Sequence, residues 1–473
     1  MSAPVTDPVH VGLDAGLHQL AALGGDLVDH ANRIGAILWS PPRVVIVGRL
    51  KAGKSTLVNA LIGAPVAETA ALEATNVVTV YQDGAPSRAE LATLDGNRRG
   101  LPVTVGTPVE LPCPATEVAY VHRWLPSVAL RDLTLVDTPG LATLTTANED
   151  ATRRAVVDGF DQTRTASVDA DAVVFLFDAT PRADELDFLA QLPFTPLNTL
   201  GVLSRADGFG EGALGRQDPL AHAAEHAAVL AARLHGVVSA VTPVSGLMAQ
   251  TSHTGALTER DAQALAQVGA MSALDLAELL ESDDPAPLTP DQRDRLLDLL
   301  GEYGVLGGRH VALRGAAALN QWLAERSGVA ELRRVLHASI GRFAVLHRAQ
   351  RILDELDRLA YRHPARDGIR TIVHRMRVDP AMRPVTLLAD LARLHSDDPR
   401  SPLVDELRAL LEGRNSAERL GLDPAAGPDR IRAAAQARLG EAQSRAALYT
   451  HTAAEDTALV SLISAYQEMA ALR

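Results

Sequence analysis

Apolar positions along this 473-residue chain recur with two different periods, and the change between them divides it. From Val11 to Leu38 they fall at helical spacing, with Leu17, Leu20, Leu23, Leu27 and Ile34 on one face, and Pro41-Pro42 stops the helix. A short apolar run, Val44–Val47, reads as a buried strand, and Ser55–Ile62 reads as the helix after it. Strand-like runs continue at Val77–Tyr81, Arg88–Leu94, Val103–Val105, Val118–Val121 and Leu133–Val136, with Asp95-Gly96-Asn97 as a turn. Ala172–Phe177, Thr199–Leu203 and Val237–Thr242 come next, separated by helical stretches at Asp184–Leu192 and Leu220–Leu234. Alternation of buried strands with helices predicts an α/β domain with a mainly parallel sheet. Beyond residue 255 or so the strand signal ends and helices dominate, with Glu331–Leu359 reading as one long helix.

Composition narrows the class. Apolar residues make up 47% and aromatics only 3%, so the cores are built from Ala, Leu and Val. No apolar run approaches the ~18–20 residues of a spanning helix, and the first twenty residues lack the pattern of a secretory signal. Cys113 is the only cysteine, so no disulfide can form within the chain. A reduced, cytoplasmic setting is expected. The formal charge of −13 argues against nucleic acid as a partner, which calls for a basic footprint.

Of the 45 basic residues only two are lysine, Lys51 and Lys54, and both lie in the segment Gly48-Arg49-Leu50-Lys51-Ala52-Gly53-Lys54-Ser55. An arginine-rich composition explains the general shortage of lysine but not where the survivors sit. A loop that cradles phosphate does, because a compact ammonium fits where a planar guanidinium would not. Placed between strand and helix, the backbone amides from Gly48 through Ala52 and Gly53 to Ser55 and Thr56 would wrap a β-phosphate at the positive end of the helix. Lys54 would reach the β- and γ-phosphates, and the Ser55 hydroxyl would ligate Mg²⁺. The segment Asp137-Thr138-Pro139-Gly140 follows strand Leu133–Val136: Asp137 is placed to hold the metal through water, and the amide of Gly140 to sense the γ-phosphate. Ser204-Arg205-Ala206-Asp207 follows strand Thr199–Leu203. Its carboxylate can accept two hydrogen bonds from the guanine edge, which adenine cannot donate, and the stem of Arg205 can cover the base. Ser204 and Arg205 stand where Asn or Thr and then Lys are usual. Ser245-Gly246 could offer amides to the guanine oxygen. In the candidate first switch, Ala71–Thr79, Thr75 is the choice for closing on Mg²⁺ and γ-phosphate, with Thr69 and Thr79 as alternatives. GTP and GDP are thus the expected substrate and product, with Mg²⁺ as cofactor.

These segments together resemble the dynamin superfamily, and in particular bacterial dynamin-like GTPases of the actinobacterial branch. The resemblance rests on GRLKAGKSTLVNALIG (48–63), EATNVVTVY (73–81), LRDLTLVDTPGL (130–141), VLSRAD (202–207), LLDLLGEYGVLGGRHVA (296–312) and SGVAELRRVL (327–336). It implies a P-loop GTPase domain with an enlarged sheet over residues 40–330, including a helical extension at 255–325. It also implies an all-α neck and stalk from residues 1–39 and 331–473, in which Val11–Leu38 pairs with Glu331–Leu359. The 89 residues from Gly48 to Asp137 suit the enlarged sheet. Animal dynamins carry Gln then Ser in the loop where this chain has Leu50 and Lys51, and Leu50 cannot orient a water. Catalysis is then expected to rest on Lys54, Thr75, Gly140, Mg²⁺ and a charge contribution from Lys51, with slow basal turnover.

The resemblance implies pairing of GTPase domains, as a homodimer or with a paralogous dynamin-like GTPase, and action at an anionic membrane, peripheral on the inner face of the cell membrane. Arg358, Arg362, Arg366, Arg370, Arg375, Arg377 and Arg383 form a basic stretch that could face such lipid or pair with acids elsewhere in the neck. The alternatives are a soluble regulatory or ribosome-associated GTPase and a nucleotide-gated adaptor with little hydrolysis.

Overall fold

A computed structural model describes residues 7–67, 77–103, 109–139, 170–448 and 451–471, the side chains at 339 and 340 excepted. They form two compact units, Pro41–Gly341 and a second made of Met1–Ser40 with Arg342–Arg473.

The first unit is built on a nine-stranded sheet: β1 (Arg43–Gly48), β2 (Thr79–Asp83), β3 (Arg88–Thr93), β4 (Arg98–Leu101), β5 (Val118–Leu125), β6 (Thr134–Asp137), β7 (Ala172–Phe177), β8 (Thr199–Ser204) and β9 (Val241–Val244). Its order is β4-β3-β5-β2-β6-β1-β7-β8-β9. At the centre, β1 runs parallel to β6 and β7, with Val45 opposite both Val136 and Val173. Val44, Val45, Ile46 and Val47 are fully buried, which is why they read as an unbroken apolar run rather than an alternating one. Each such side chain contributes roughly 1.5–3 kcal/mol of burial. The parallel half continues through β7, β8 and β9. The other half is mixed: β2 runs antiparallel to β6 and parallel to β5, and β3 is antiparallel to both β5 and β4. The mainly parallel enlarged sheet expected from the sequence is therefore present, with its enlargement at the mixed edge.

In the second unit, α1 (Pro8–Ala21) and α2 (Leu27–Trp39) precede the sheet. In the first unit, α3 (Lys54–Ile62) follows β1, α4 (Ala183–Ala190) follows β7, and α5 (Pro219–Arg233) follows β8. After β9 come α6 (Gly246–Thr254), α7 (Glu259–Gln267), α8 (Ala273–Glu281), α9 (Pro290–Ala312) and α10 (Ala316–Arg326), and α11 spans Val329–Arg362. Phe188 and Leu189 of α4 and Ala223, Ala227 and Leu230 of α5 pack on Val173, Phe175 and Phe177. A separate core gathers Met248, Leu265, Leu276, Leu300, Leu319 and Leu323 from α6 to α10.

Two expected elements differ, and one strand is added. Val11–Leu38 is two helices, because Gly24 and Gly25 take φ of +79° and +63°, which no right-handed helix can follow. Of the expected strand Val103–Val105, residues 104 and 105 lie outside the described residues. A strand not expected from the sequence forms at Arg98–Leu101. Its Arg98, Arg99 and Gly100 are exposed at a sheet edge, so no apolar alternation marks it. The last strand begins at Val241 rather than Val237, because the amides of Val237 and Val238 both donate to Leu234 O and close a turn at the end of α5.

In the second unit the N-terminal helices pack among the C-terminal ones. Arg348, 4% exposed, donates to Leu38 O at 3.1 Å and Ser40 O at 2.5 Å. Gly16 lies so close to Met376 that a Cβ would stand 1.7 Å from its Cε. The basic stretch is largely engaged within this unit: Arg358 with Glu355, Arg377 with Asp357, Arg383 with Glu468, and Arg375 with Gln19.

Candidate nucleotide-binding site

The site begins where β1 ends. A Cβ at Gly48 would stand 2.6 Å from Leu176 O, so only glycine allows β1 and β7 to approach there. The loop then turns through Lys51 at φ +63° and Gly53 at φ +93°, and α3 starts at Lys54. Lys54 is 7% exposed, and its Nζ donates to Gly48 O and Arg49 O, both at 3.0 Å. Burial pulls its pKa down to about 8, against the opposing pull of Asp137.

Asp137 ends β6. Its Oδ2 accepts from Ser55 Oγ at 3.1 Å, while its Oδ1 is buried with no hydrogen-bond partner among the described residues. Burial pushes the carboxyl up to about 6, with Lys54 and the Ser55 hydroxyl working the other way. A largely buried cation and a half-buried anion thus share the site. The lysine rests on carbonyls of its own loop, and the carboxylate has, among the described residues, one unused oxygen beside a hydroxyl. These donors fit a hard divalent cation, which takes oxygen ligands, next to an anionic group for the ammonium. Thr138, not singled out from the sequence, fixes the turn after β6 by donating to Ile46 O at 2.6 Å.

The residues expected to read the base stand at the ends of β8 and β9. Ser204 is buried, and its hydroxyl donates to Phe177 O at 3.2 Å, so it ties β8 to β7. Arg205 is exposed at φ +55°, and its Nη2 donates to Lys51 O at 2.7 Å. Asp207 is half-buried, and its carboxylate accepts no hydrogen bond among the described residues. Ser245 is fully buried and caps α6, its Oγ accepting from Met248 N at 3.4 Å. A Cβ on Gly246 would stand 3.4 Å from Thr56 Cγ2, which sets this turn against the start of α3. Two further residues support the turn and were missed in the sequence: Ser327 O accepts from Ser245 N at 2.9 Å, and a Cβ at Gly328 would stand 2.2 Å from Pro243 O. A glycine opening a helix is their only sequence signal.

Leu50 is 51% exposed and Lys51 is exposed beside it. Thr75, Thr69 and Gly140 lie outside the described residues. Thr79 sits on β2 directly opposite Asp137 of β6, its hydroxyl 3.5 Å from Val77 O.

The family model described as 50S ribosome-binding GTPase matches residues 43–197, which hold the phosphate loop, β6 and β7. The isoniazid-induced protein IniC of Mycobacterium tuberculosis is 32% identical over 443 residues, covering 87% of this chain and 86% of the relative. The chain belongs to the IniC family. The resemblance to the actinobacterial branch of the dynamin-like GTPases is thereby borne out. The isoniazid-induced protein IniA of the same organism matches this IniC-family chain at 38% identity over 130 residues, 25% of the chain and 20% of the relative. A solved structure described as an oligomerised bacterial dynamin pair that senses and tethers membranes is 15% identical, covering 100% of this chain and 77% of that one, with a TM-score of 0.33.

Proposed function

We propose that this dynamin-like GTPase binds GTP with Mg²⁺ at the loop Gly48–Ser55, hydrolyses it, and cycles by pairing its GTPase domain with a second copy or a paralogue at an anionic membrane surface. The observation that carries the reading is buried Lys54 together with Asp137, whose Oδ2 accepts from Ser55 and whose buried Oδ1 has no partner among the described residues. Ser55 and Asp137, with Thr75, would hold Mg²⁺, which when bound screens the phosphate charge. Lys54 would exchange the carbonyls of Gly48 and Arg49 for β- and γ-phosphate oxygens. That exchange restores a full charge partner to a cation that burial now disfavours. The amides of Ala52, Gly53 and Thr56 would cradle the β-phosphate and that of Gly140 the γ-phosphate. Asp207 would accept from the guanine edge, Arg205 would cover the base, and Ser204, Ser245 and Gly246 would shape its pocket.

Among the described residues no helix is long and apolar enough to cross a membrane, so membrane action would be peripheral. The pairing and membrane parts follow from the resemblance to dynamin-like GTPases, and the membrane part draws further support from the basic stretch, of which Arg362 and Arg370 have no partner among the described residues. The alternative of a ribosome-associated GTPase draws on the description of the matching family model, and the net charge of −13 speaks against it.

Lys54→Ala should abolish hydrolysis and severely weaken nucleotide binding. Wild-type turnover in the purified variant overturns the site. Specific GTPase activity should rise with protein concentration and with anionic liposomes. A flat response to both would leave a soluble GTPase that acts alone.

A further inference from the structure

Helix α9 is interrupted. At Gly301 the backbone takes φ 66° and ψ 174°, a conformation open essentially to glycine alone. The interruption lies against the base-reading loops. A Cβ at Gly301 would stand 3.6 Å from Asp207 Oδ2 and 3.3 Å from Leu247 Cδ2.

Hydrogen bonds on both sides hold the break in place. Before it, Thr251 of α6 donates its hydroxyl to Leu299 O at 2.5 Å. After it, the Tyr303 hydroxyl donates to Asp218 Oδ2 at 2.8 Å, and Arg326 Nη2 donates to the same oxygen at 2.6 Å. The other oxygen of Asp218 caps α5 by accepting from the amides of Leu220 and Ala221, at 2.9 and 3.2 Å. The loop leaving β8 therefore meets one helix at both ends: at Asp207, whose Oδ2 lies within ordinary contact of the place a side chain at Gly301 would fill, and at Asp218, which Tyr303 holds by a hydrogen bond.

We infer that Gly301 is a positioning residue for base recognition, and that α9 is part of the guanine-selective wall rather than a spacer after the GTPase core. The inference rests on the reading of Asp207 as the base reader. A carboxylate that accepts from two adjacent donors must lie in their plane, and a carboxylate free to rotate loses one of the two bonds. Asp207 accepts no bond from the described protein that could fix it, so its direction depends on the path of the turn Ala206–Gly208, against which α9 packs. A side chain at position 301 would strain the backbone there and press on Leu247, and so shift the turn that carries Asp207, whose Oδ2 it would itself meet only at ordinary contact distance.

Affinities for GDP, IDP and XDP, measured by calorimetry on the full chain, test this. Inosine lacks the exocyclic amine of guanine, so the GDP-to-IDP ratio reports the second hydrogen bond and not the general soundness of the pocket. Gly301→Ala should lower GDP affinity about ten-fold or more, the loss of one bond to a charged group, and bring the ratio toward one. Thr251→Val, which removes the bond at Leu299, should shift the ratio the same way by less. If Gly301→Ala does not fold, Gly301→Ala with Leu247→Ala, which relieves the tightest contact, and Thr251→Val decide the matter. Equal losses for GDP and IDP, or no change in any of these variants, overturn the role of Gly301. Asp207→Asn is the separate control: if it neither loses GDP affinity nor gains XDP affinity, it is the reading of Asp207 that falls.

Discussion

The guanidinium of Arg205 donates to the backbone carbonyl of Lys51 at 2.7 Å, and both residues hold left-handed backbone, at φ +55° and +63°. A residue from the base-reading turn thus closes over the apex of the phosphate loop. Left-handed backbone is unfavourable for residues other than glycine, so each turn depends on its surroundings to keep its shape. The bond couples the two halves of the proposed nucleotide site. Arg205→Ala is expected to weaken GDP binding about three- to thirty-fold, a charged hydrogen bond reduced by exposure. The effect should lie mostly in the dissociation rate, read by displacement of a fluorescent GDP analogue. An unchanged off-rate would show that the bond has no bearing on the nucleotide.

Lys51 contributes its carbonyl to that bond, but its ammonium has no partner among the described residues and stands in solvent. The chain lacks the Gln-Ser pair of animal dynamins, and Leu50 beside it is apolar and exposed. A cation here could offset the charge that grows between β- and γ-phosphate as the γ-phosphoryl leaves. Lys51→Ala should keep most GTP affinity and lower turnover by about ten- to a thousand-fold. Wild-type turnover at high protein concentration would reduce Lys51 to a surface charge.

Legibility in the sequence followed burial and chemistry. β1 and β7 are plain because every residue of Val44–Val47 and Ala172–Phe177 is buried, so the apolar run has no competitor. The phosphate loop is plain because it concentrates the only two lysines. What was hidden depends on backbone. Gly24-Gly25 breaks a helix whose apolar spacing continues in phase on both sides. β4 is held by its ladder to β3 and carries no apolar signal. Gly301 lies within LLGEYGVLGG, where a glycine inside a helical pattern reads as a tolerated cost, and only its φ shows it as a break. Ser204 stands where Asn or Thr is usual in the base-reading element, and the bond of its hydroxyl to Phe177 O depends on a neighbouring strand that no local sequence pattern shows.

His122 on β5 is stacked on Trp124, with Nε2 3.1 Å from Gln82 Oε1. Burial first, then Arg43, Arg88 and Arg98, bring its pKa down to about 4. The folded protein holds it neutral, whereas the unfolded chain protonates it near pH 6.5. The unfolded state therefore binds more protons between these values, and stability present above about pH 6.5 is lost as pH falls toward 4. Urea midpoints taken from pH 7.5 to 4.5 should decline less in His122→Gln than in the wild type. Parallel declines would mean that other groups carry the acid sensitivity.

Asp137 gives the sharpest contrast between stability and function. Among the described residues one buried oxygen of its carboxylate has no partner, and burial pushes the group toward its neutral form. A buried polar group left unsatisfied costs roughly 1–3 kcal/mol. Asp137→Asn removes the charge and keeps the shape, and its amide can still meet Ser55. The nucleotide-free variant should therefore melt about 1–3 °C higher, since a chain of this length shifts by only about 1 °C per kcal/mol. The same change removes the charge that would draw in Mg²⁺. Adding Mg²⁺ with GDP should then raise the melting point of the wild type but add nothing beyond GDP alone in the variant. A variant that melts lower when empty and still responds to Mg²⁺ would show that the carboxylate holds the fold together and does not serve the metal.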